Sequence, residues 1–208
     1  MKLQPSSEKM FTYLRGFLVG AEMGESLKAL QFAREKHKGQ ARKGGAPYII
    51  HPLEMVCYAV ALGIRDDNII ATILLHDVVE DCGVMLSSLP VNDVIKTGVK
   101  YMTIQPFPGE SKADSKRRYF KQLLESKEAI ICKAIDRYNN LSSMIGVLSE
   151  EAIIKNIKET DELLLPVLKE AKEKWVELSN ILHVLRTNIR NMNDILAVIY
   201  IRETEKTE

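Results

Sequence analysis

Apolar residues in this chain recur mostly at the three- and four-residue spacing that lines one face of a helix. The β-branched residues that could build strands sit in runs crowded with Leu, Ala, Lys and Glu, so no alternating strand pattern emerges. Helices are predicted near 9–20, 24–37, 52–62, 66–80, 91–101, 113–126, 128–142, 150–159, 161–188 and 191–202. Between them lie turn formers: Gly39, the Gly44-Gly45 pair with Pro47, Gly63, Gly83, and Pro106-Phe107-Pro108-Gly109. Asp66 and Ser149 stand where helix N-caps belong, the second followed by Glu150 and Glu151 in the first turn. The expectation is an all-α domain with neither internal repeats nor a splitting linker.

Composition narrows the function. At 208 residues the chain is long enough for a sizeable core. Its 29 Lys+Arg against 28 Asp+Glu argue against a uniformly basic nucleic-acid binder. The apolar fraction of 46% argues against disorder. Cys57, Cys82 and Cys132 are odd in number, far apart and never in a C-x-x-C pair, which fits reduced thiols of a cytoplasmic protein better than a disulfide framework or zinc ribbon. Lys9 and Arg15 interrupt the apolar N-terminus, and no run reaches the ~20 apolar residues of a spanning helix, so no membrane association is expected. The charged stretch around Trp175 reads as a solvated helix face, and residues 203–208 as a frayed tail.

Three segments carry chemistry. In the first, an apolar run with Ile69, Ile70, Ala71 and Ile73 ends in Leu74-Leu75-His76-Asp77-Val78-Val79-Glu80-Asp81. On one continuous helix, the spacing of four pairs His76 with Glu80 and Asp77 with Asp81. Burying such groups unpaired costs several kcal/mol each, and a divalent cation would relieve that cost. In the second, Asp136 follows the apolar run 129–135 and shares a face with Asn140. Taken alone, Asp136 and Arg137 read equally well as the point where a core helix meets water. In the third, Gly39-Gln40-Ala41-Arg42-Lys43-Gly44-Gly45-Ala46 is a basic glycine-rich loop that stiffens into Pro47-Tyr48-Ile49-Ile50-His51-Pro52. A single histidine before proline is usually just a helix-start residue, and His51 gains meaning only beside His76, Asp77 and Asp136.

Four motifs occur in a fixed order: H-x-G-Q-x-R-K with P-Y-I-x-H-P, then H-D-x-x-E-D, then D-R-x-x-N, and finally Glu159-Thr160 with Pro166. Together they resemble the HD-domain phosphohydrolases, and within them the hydrolase domain of the RelA/SpoT alarmone enzymes, particularly the stand-alone small alarmone hydrolases. The resemblance covers roughly residues 24–170. It implies an HD-type helical bundle over 24–190, preceded by a helix over 1–23 and followed by a helix and tail over 191–208. It also implies one manganese ion held by His51, His76, Asp77 and Asp136, with Glu80 and Asp81 as the catalytic acidic pair. Arg42 and Lys43 fall on residues that pack against guanine, Tyr48 on a pocket tyrosine, and Asn140 and Ser143 on nucleotide contacts. Two departures stand out: a shorter stretch between Asp81 and Thr103, and Asp136-Arg137-Tyr138-Asn139-Asn140 in place of D-R-L-H-N.

The activity so implied is hydrolysis of the 3′-diphosphate of guanosine tetra- or pentaphosphate, giving GDP or GTP and pyrophosphate. The partner is then a small guanosine nucleotide, with no nucleic acid and no membrane. No synthetase domain is expected within a chain of this length. Lys112, Lys116, Arg117 and Arg118 form a second basic cluster, read first as a solvated face. Two alternatives stay open: a related hydrolase removing the 2′-phosphate of NADPH, and a catalytically silent nucleotide sensor, which the intact acidic pair disfavours.

Overall fold

The computed structural model describes residues 6–105 and 107–201. Pro106, the first five residues and the tail from 202 on, which includes the 203–208 stretch expected to fray, lie outside them. Among the described residues the chain is all-α, and its one strand-like feature is an isolated antiparallel bridge between Ala41 and Pro47. The helices are α1 Ser7–Gly20, α2 Gly24–Lys36, α3 Ile50–Ala61, α4 Asp67–Leu75, α5 Val78–Asp81 and α6 Asp93–Met102. They continue as α7 Lys112–Gln122, α8 Lys127–Ser143, α9 Glu150–Glu159, α10 Leu165–Lys174 and α11 Ser179–Tyr200. None is long and apolar enough to cross a membrane.

The chain divides into two compact units. The first holds the described residues up to Thr103 together with Ser126–Cys132. The second holds Ile104–Glu125 and the described residues from Lys133 on.

In the first unit α4 is the central element. Residues 69–75 are all buried, as expected of a helix that is apolar all round. It packs against α2, α3 and α6. Its N-terminus is fixed twice. Asp66 accepts from the amides of Asn68 and Ile69, the cap expected from sequence, and pairs with Lys127 Nζ at 2.7 Å. Asp67 instead caps the neighbouring helix: its carboxylate accepts from the amides of Glu25 and Ser26 and from the Ser26 hydroxyl. One dipeptide thus starts α4 and locks α2 against it.

In the second unit α10 and α11 pack together around Leu168, Ala171, Leu182, Leu185 and Ile189. Ser149 caps α9, again as expected. Two helix predictions need correction. The single helix expected over 161–188 begins as a π-helical turn, Thr160–Leu164, continues as α10 and stops at Trp175, whose φ of −110° and ψ of 72° leave the helical region. Pro166 lacks the N–H of a regular helix, and its position at the start of α10 is where that loss is tolerated. The separate helix expected over 191–202 is the second half of α11, which runs unbroken through position 190.

Candidate metal centre

His51 and Pro52 open α3. Pro52 falls in the first turn, where its missing N–H is no loss, and the His51 amide donates to Tyr48 O at 2.9 Å. His51 is only 3% exposed, so its imidazole is held in the protein interior. His76 is the C-cap of α4, equally buried. Asp77 is the N-cap of α5. The helix predicted to run from 66 to 80 therefore breaks at His76 and Asp77, and the expected stripes pairing His76 with Glu80 and Asp77 with Asp81 do not form on one continuous helix. The break has a chemical result. Neighbouring side chains on a helix diverge by about 100°, yet here His76 Nε2 and Asp77 Oδ2 converge to 2.8 Å. His51 Nε2 lies 3.9 Å from the same oxygen, and the His51 and His76 rings meet edge-on at 5.2 Å.

His51, His76 and Asp77 each present one ligand atom, all within 4.8 Å of one another. Their chemistry fits a divalent cation. His76 Nδ1 lies 2.8 Å from Ile73 O, which can only accept, so Nδ1 carries the proton and donates it there. In the neutral imidazole, Nε2 is then a lone-pair donor facing a carboxylate oxygen. Two such atoms at 2.8 Å repel unless a proton or a cation lies between them, and two imidazoles with a carboxylate are a borderline-metal donor set.

Tyr48 belongs to this centre in a way the sequence reading missed. Its phenol donates to Asp77 Oδ2. Burial first, then the charges of Asp77 and Asp81, push the phenol far above its ordinary pKa and keep it a donor. Its ring stacks on His37 at 4.6 Å and 27°. His37 is itself fixed by a 2.7 Å bond from Nδ1 to Gln40 Oε1, and burial lowers its pKa, favouring a neutral ring. Gln40 Nε2 reaches Asp81 O at 3.3 Å. The H-x-G-Q segment thus ties the basic loop to the acidic helix α5. That loop closes through Arg42 N to Ala46 O and Gly45 N to Arg42 O, both 2.8 Å, with Gly45 at φ 82° where a side chain would be strained. Lys43, Glu80 and Asp81 are exposed, and Arg42 is half-buried.

Asp136 and Asn140 lie on α8 within the second unit. Asp136 is buried; Lys133 Nζ approaches its Oδ2 at 2.9 Å and Asn140 Nδ2 donates to its Oδ1 at 2.6 Å. Burial is the largest single influence on the Lys133 ammonium and works against it, but the charge and hydrogen bond of Asp136 together with Tyr119 outweigh it and raise its pKa. The Ser143 hydroxyl donates to Asn139 O at the end of its own helix. In the second basic cluster, Arg117 pairs with Asp114, Arg118 pairs with Glu110 and stacks over Phe107, and Lys116 pairs with Glu159. Much of its charge is locally compensated. The three cysteines are free thiols.

An all-α unit with this His-His-Asp centre is of a known class: residues 29–99 match the family model described as the HD domain. Over that stretch the chain is similar to HD domains. Its relatives bear specific names. It is 29% identical over 208 residues to the guanosine-3′,5′-bis(diphosphate) 3′-pyrophosphohydrolase of Aquifex aeolicus (strain VF5), covering 88% of this chain and 29% of that protein. It is 33% identical over 141 residues to the enzyme of that name from Spiroplasma citri, covering 63% and 18%. With the GTP pyrophosphokinase of Streptomyces coelicolor it shares 31% over 145 residues, covering 67% and 17%. The chain thus spans less than a third of the length of these curated relatives. Among solved structures it matches one described as a metazoan ortholog of SpoT that hydrolyses ppGpp, with a TM-score of 0.59 and 21% identity over 84% of this chain and 94% of that one. That match establishes the common fold.

Proposed function

We propose that this chain is a metal-dependent hydrolase that removes the 3′-diphosphate of guanosine tetra- or pentaphosphate, leaving GDP or GTP and pyrophosphate. The observation that carries this reading is the centre of His51, His76 and Asp77, both histidines buried and Asp77 half-buried, with the His76 tautomer fixed by Ile73 O. Relatives named as 3′-pyrophosphohydrolases, aligned over 88% and 63% of this chain, support the substrate. The hydrolase domain is assigned to residues 24–190.

His51, His76 and Asp77 would hold one manganese ion. When bound, such an ion supplies positive charge that offsets phosphate charge and lowers the pKa of water. Glu80 and Asp81, on the turn of helix following Asp77, take the proton from the attacking water and return one to the leaving 3′-oxygen. Their exposure suits this role, since a group exchanging protons with solvent must reach it. Tyr48 holds Asp77 in place through its phenol and borders the pocket with its ring. Arg42 and Lys43 pack on the guanine.

The test is to incubate the purified chain with guanosine tetraphosphate, and separately with NADPH, with and without Mn²⁺, and to identify the products. GDP and pyrophosphate formed only with the metal is the expected result. Phosphate released from NADPH alone would transfer the chemistry to another nucleotide. Binding of the tetraphosphate without any product would make the chain a sensor.

A further inference from the structure

The H-x-G-Q segment belongs wholly to the first unit, as do α5 and the donor set of His51, His76 and Asp77. His37 is the C-cap of α2 and is 2% exposed. The chain then reverses: Gln40 N donates to His37 O at 3.1 Å, across Gly39 at a φ of 83° that favours glycine. This turn brings the His37 and Gln40 side chains together. Asp81 O can only accept, so the Gln40 amide nitrogen points to it at 3.3 Å and Oε1 is left facing His37 Nδ1 at 2.7 Å. His37 Nδ1 is therefore the donor of that bond. The buried imidazole fixes the rotation of the amide, and the amide in turn holds the Asp81 carbonyl.

Such a hold matters because α5 is a single turn of four residues, and an isolated turn of helix is unstable. The amides of Asp81 and Cys82 bond back to Asp77 O at 2.8 Å and Val78 O at 3.2 Å. Asp81 O is among the terminal carbonyls that find no partner within a helix, and Gln40 supplies one. The Cys82 thiol, just beyond, donates to Lys36 O at 3.6 Å. The C-terminal end of α5 is thus tied to the end of α2, while Tyr48 holds Asp77 at the N-terminal end. The Tyr48 ring stacks on His37, and its amide donates to Gln40 O at 2.9 Å. His37 stands between the two ties: its ring face supports Tyr48 and its N–H supports Gln40.

We propose that His37 is a positioning residue: through the Gln40 amide it holds the Asp81 carbonyl and so fixes the turn of helix that presents Glu80 and Asp81 beside Asp77. The catalytic part played by that acidic pair rests on the proposed function.

The test combines hydrolysis kinetics, calorimetric titration of Mn²⁺ and hydrogen exchange of the Asp81 and Cys82 amides, all on the full chain. His37→Phe keeps a flat ring against Tyr48 and removes the N–H. It is expected to lower kcat roughly 10- to 100-fold, the cost of a shift of up to about 1 Å between reacting groups, with KM and Mn²⁺ affinity near wild type. Exchange of the two amides is expected to quicken about tenfold, the worth of one hydrogen bond. Gln40→Met removes the amide at similar length and is expected to act in the same way, so the test survives if one variant does not fold. His37→Asn returns an N–H to the same neighbourhood and is expected to recover most of kcat. Leu18→Ala, a buried change in α1, is expected to lower the melting temperature without altering kcat. Wild-type kcat in folded His37→Phe or Gln40→Met overturns the proposal. So does a loss of Mn²⁺ affinity equal to the loss in kcat, or an equal fall of kcat in the Leu18 variant. A wild-type chain that binds Mn²⁺ but hydrolyses no alarmone overturns the substrate assignment alone, and unchanged amide exchange in the His37 and Gln40 variants then overturns the positioning role.

Discussion

Replacing Gly98 with alanine tests how tightly the helix that ends at His76 is held. Gly98 is buried in α6, and a Cβ there would stand 2.9 Å from Thr72 Oγ1, 3.0 Å from Thr72 Cγ2 and 3.1 Å from Glu128 Cβ. All three are closer than the ~3.5–4.0 Å of a comfortable contact. A rotation of Thr72 relieves the first two contacts but not the third, because the Glu128 Cβ is tied to its own helix. Overpacking of this kind costs ~1–3 kcal/mol, and the better helix propensity of alanine returns about 1 kcal/mol. The net loss is up to ~2 kcal/mol, which for a chain of this size lowers the melting temperature by as much as roughly 8 °C. Gly16 supplies the matched control. It lies mid-helix on the exposed side of α1, and an added Cβ would meet nothing within 4 Å. Gly16→Ala should therefore raise stability by ~0.5–1 kcal/mol. Scanning calorimetry of the two variants reads opposite signs from the same chemical change. A Gly98→Ala protein stabilised as much as Gly16→Ala would refute the packing described for α4 and α6.

Other expectations follow from the site and its supports. Asp77→Ala should abolish both Mn²⁺ binding and hydrolysis, measured by calorimetry and product analysis; full activity would remove Asp77 from the metal centre. Glu80→Gln should retain metal and nucleotide affinity while losing turnover, and retained turnover in a stopped assay rejects its role in proton handling. Asp66 makes a pH-dependent contribution. Desolvation raises its pKa, but the Lys127 bond and charge with the Ile69 and Asn68 amides outweigh it, leaving the folded pKa below the ordinary 3.8. Its stabilisation is then complete above that value and is lost as pH falls through the lower folded pKa. Urea unfolding should show Asp66→Ala less stable by ~0.5–2 kcal/mol at pH 7, with the gap closing in that acid window. A gap that widens on acidification would contradict the sign.

What the sequence made legible was local. Helical periodicity placed α2, α8 and α9 within a residue or two of their observed ends, and the Asp66 and Ser149 caps follow from residue type beside an apolar run. His51, His76 and Asp77 were selected on residue type and motif order, and they converge in one unit. Breaks without a proline or glycine were not legible. Nothing in Leu75-His76-Asp77-Val78 or Lys174-Trp175-Val176 announces a stop, because the interruption is imposed by tertiary packing. Partners distant along the chain were likewise hidden. Asp67 as a cap for α2, Tyr48 on Asp77, and Arg137 with Glu159 each join residues whose types fit several other pairings. The H-x-G-Q and E-T motifs were noted as patterns, and the structure supplies the bonds that give them content.

The donor set also bears on the order in which the molecule can assemble. His51, His76 and Asp77 come from consecutive helices, α3 and α4, and the turn that follows them, so bringing them together closes only one short loop of chain. Loop-closure entropy rises slowly with length, by ~0.6 kcal/mol for each doubling, but contact order governs folding rate more strongly. Contacts among neighbouring helices are the kind that form early. A cation present during folding would thus meet a nearly complete set of ligands before most of the chain had found its place, and could act as a template for what comes after.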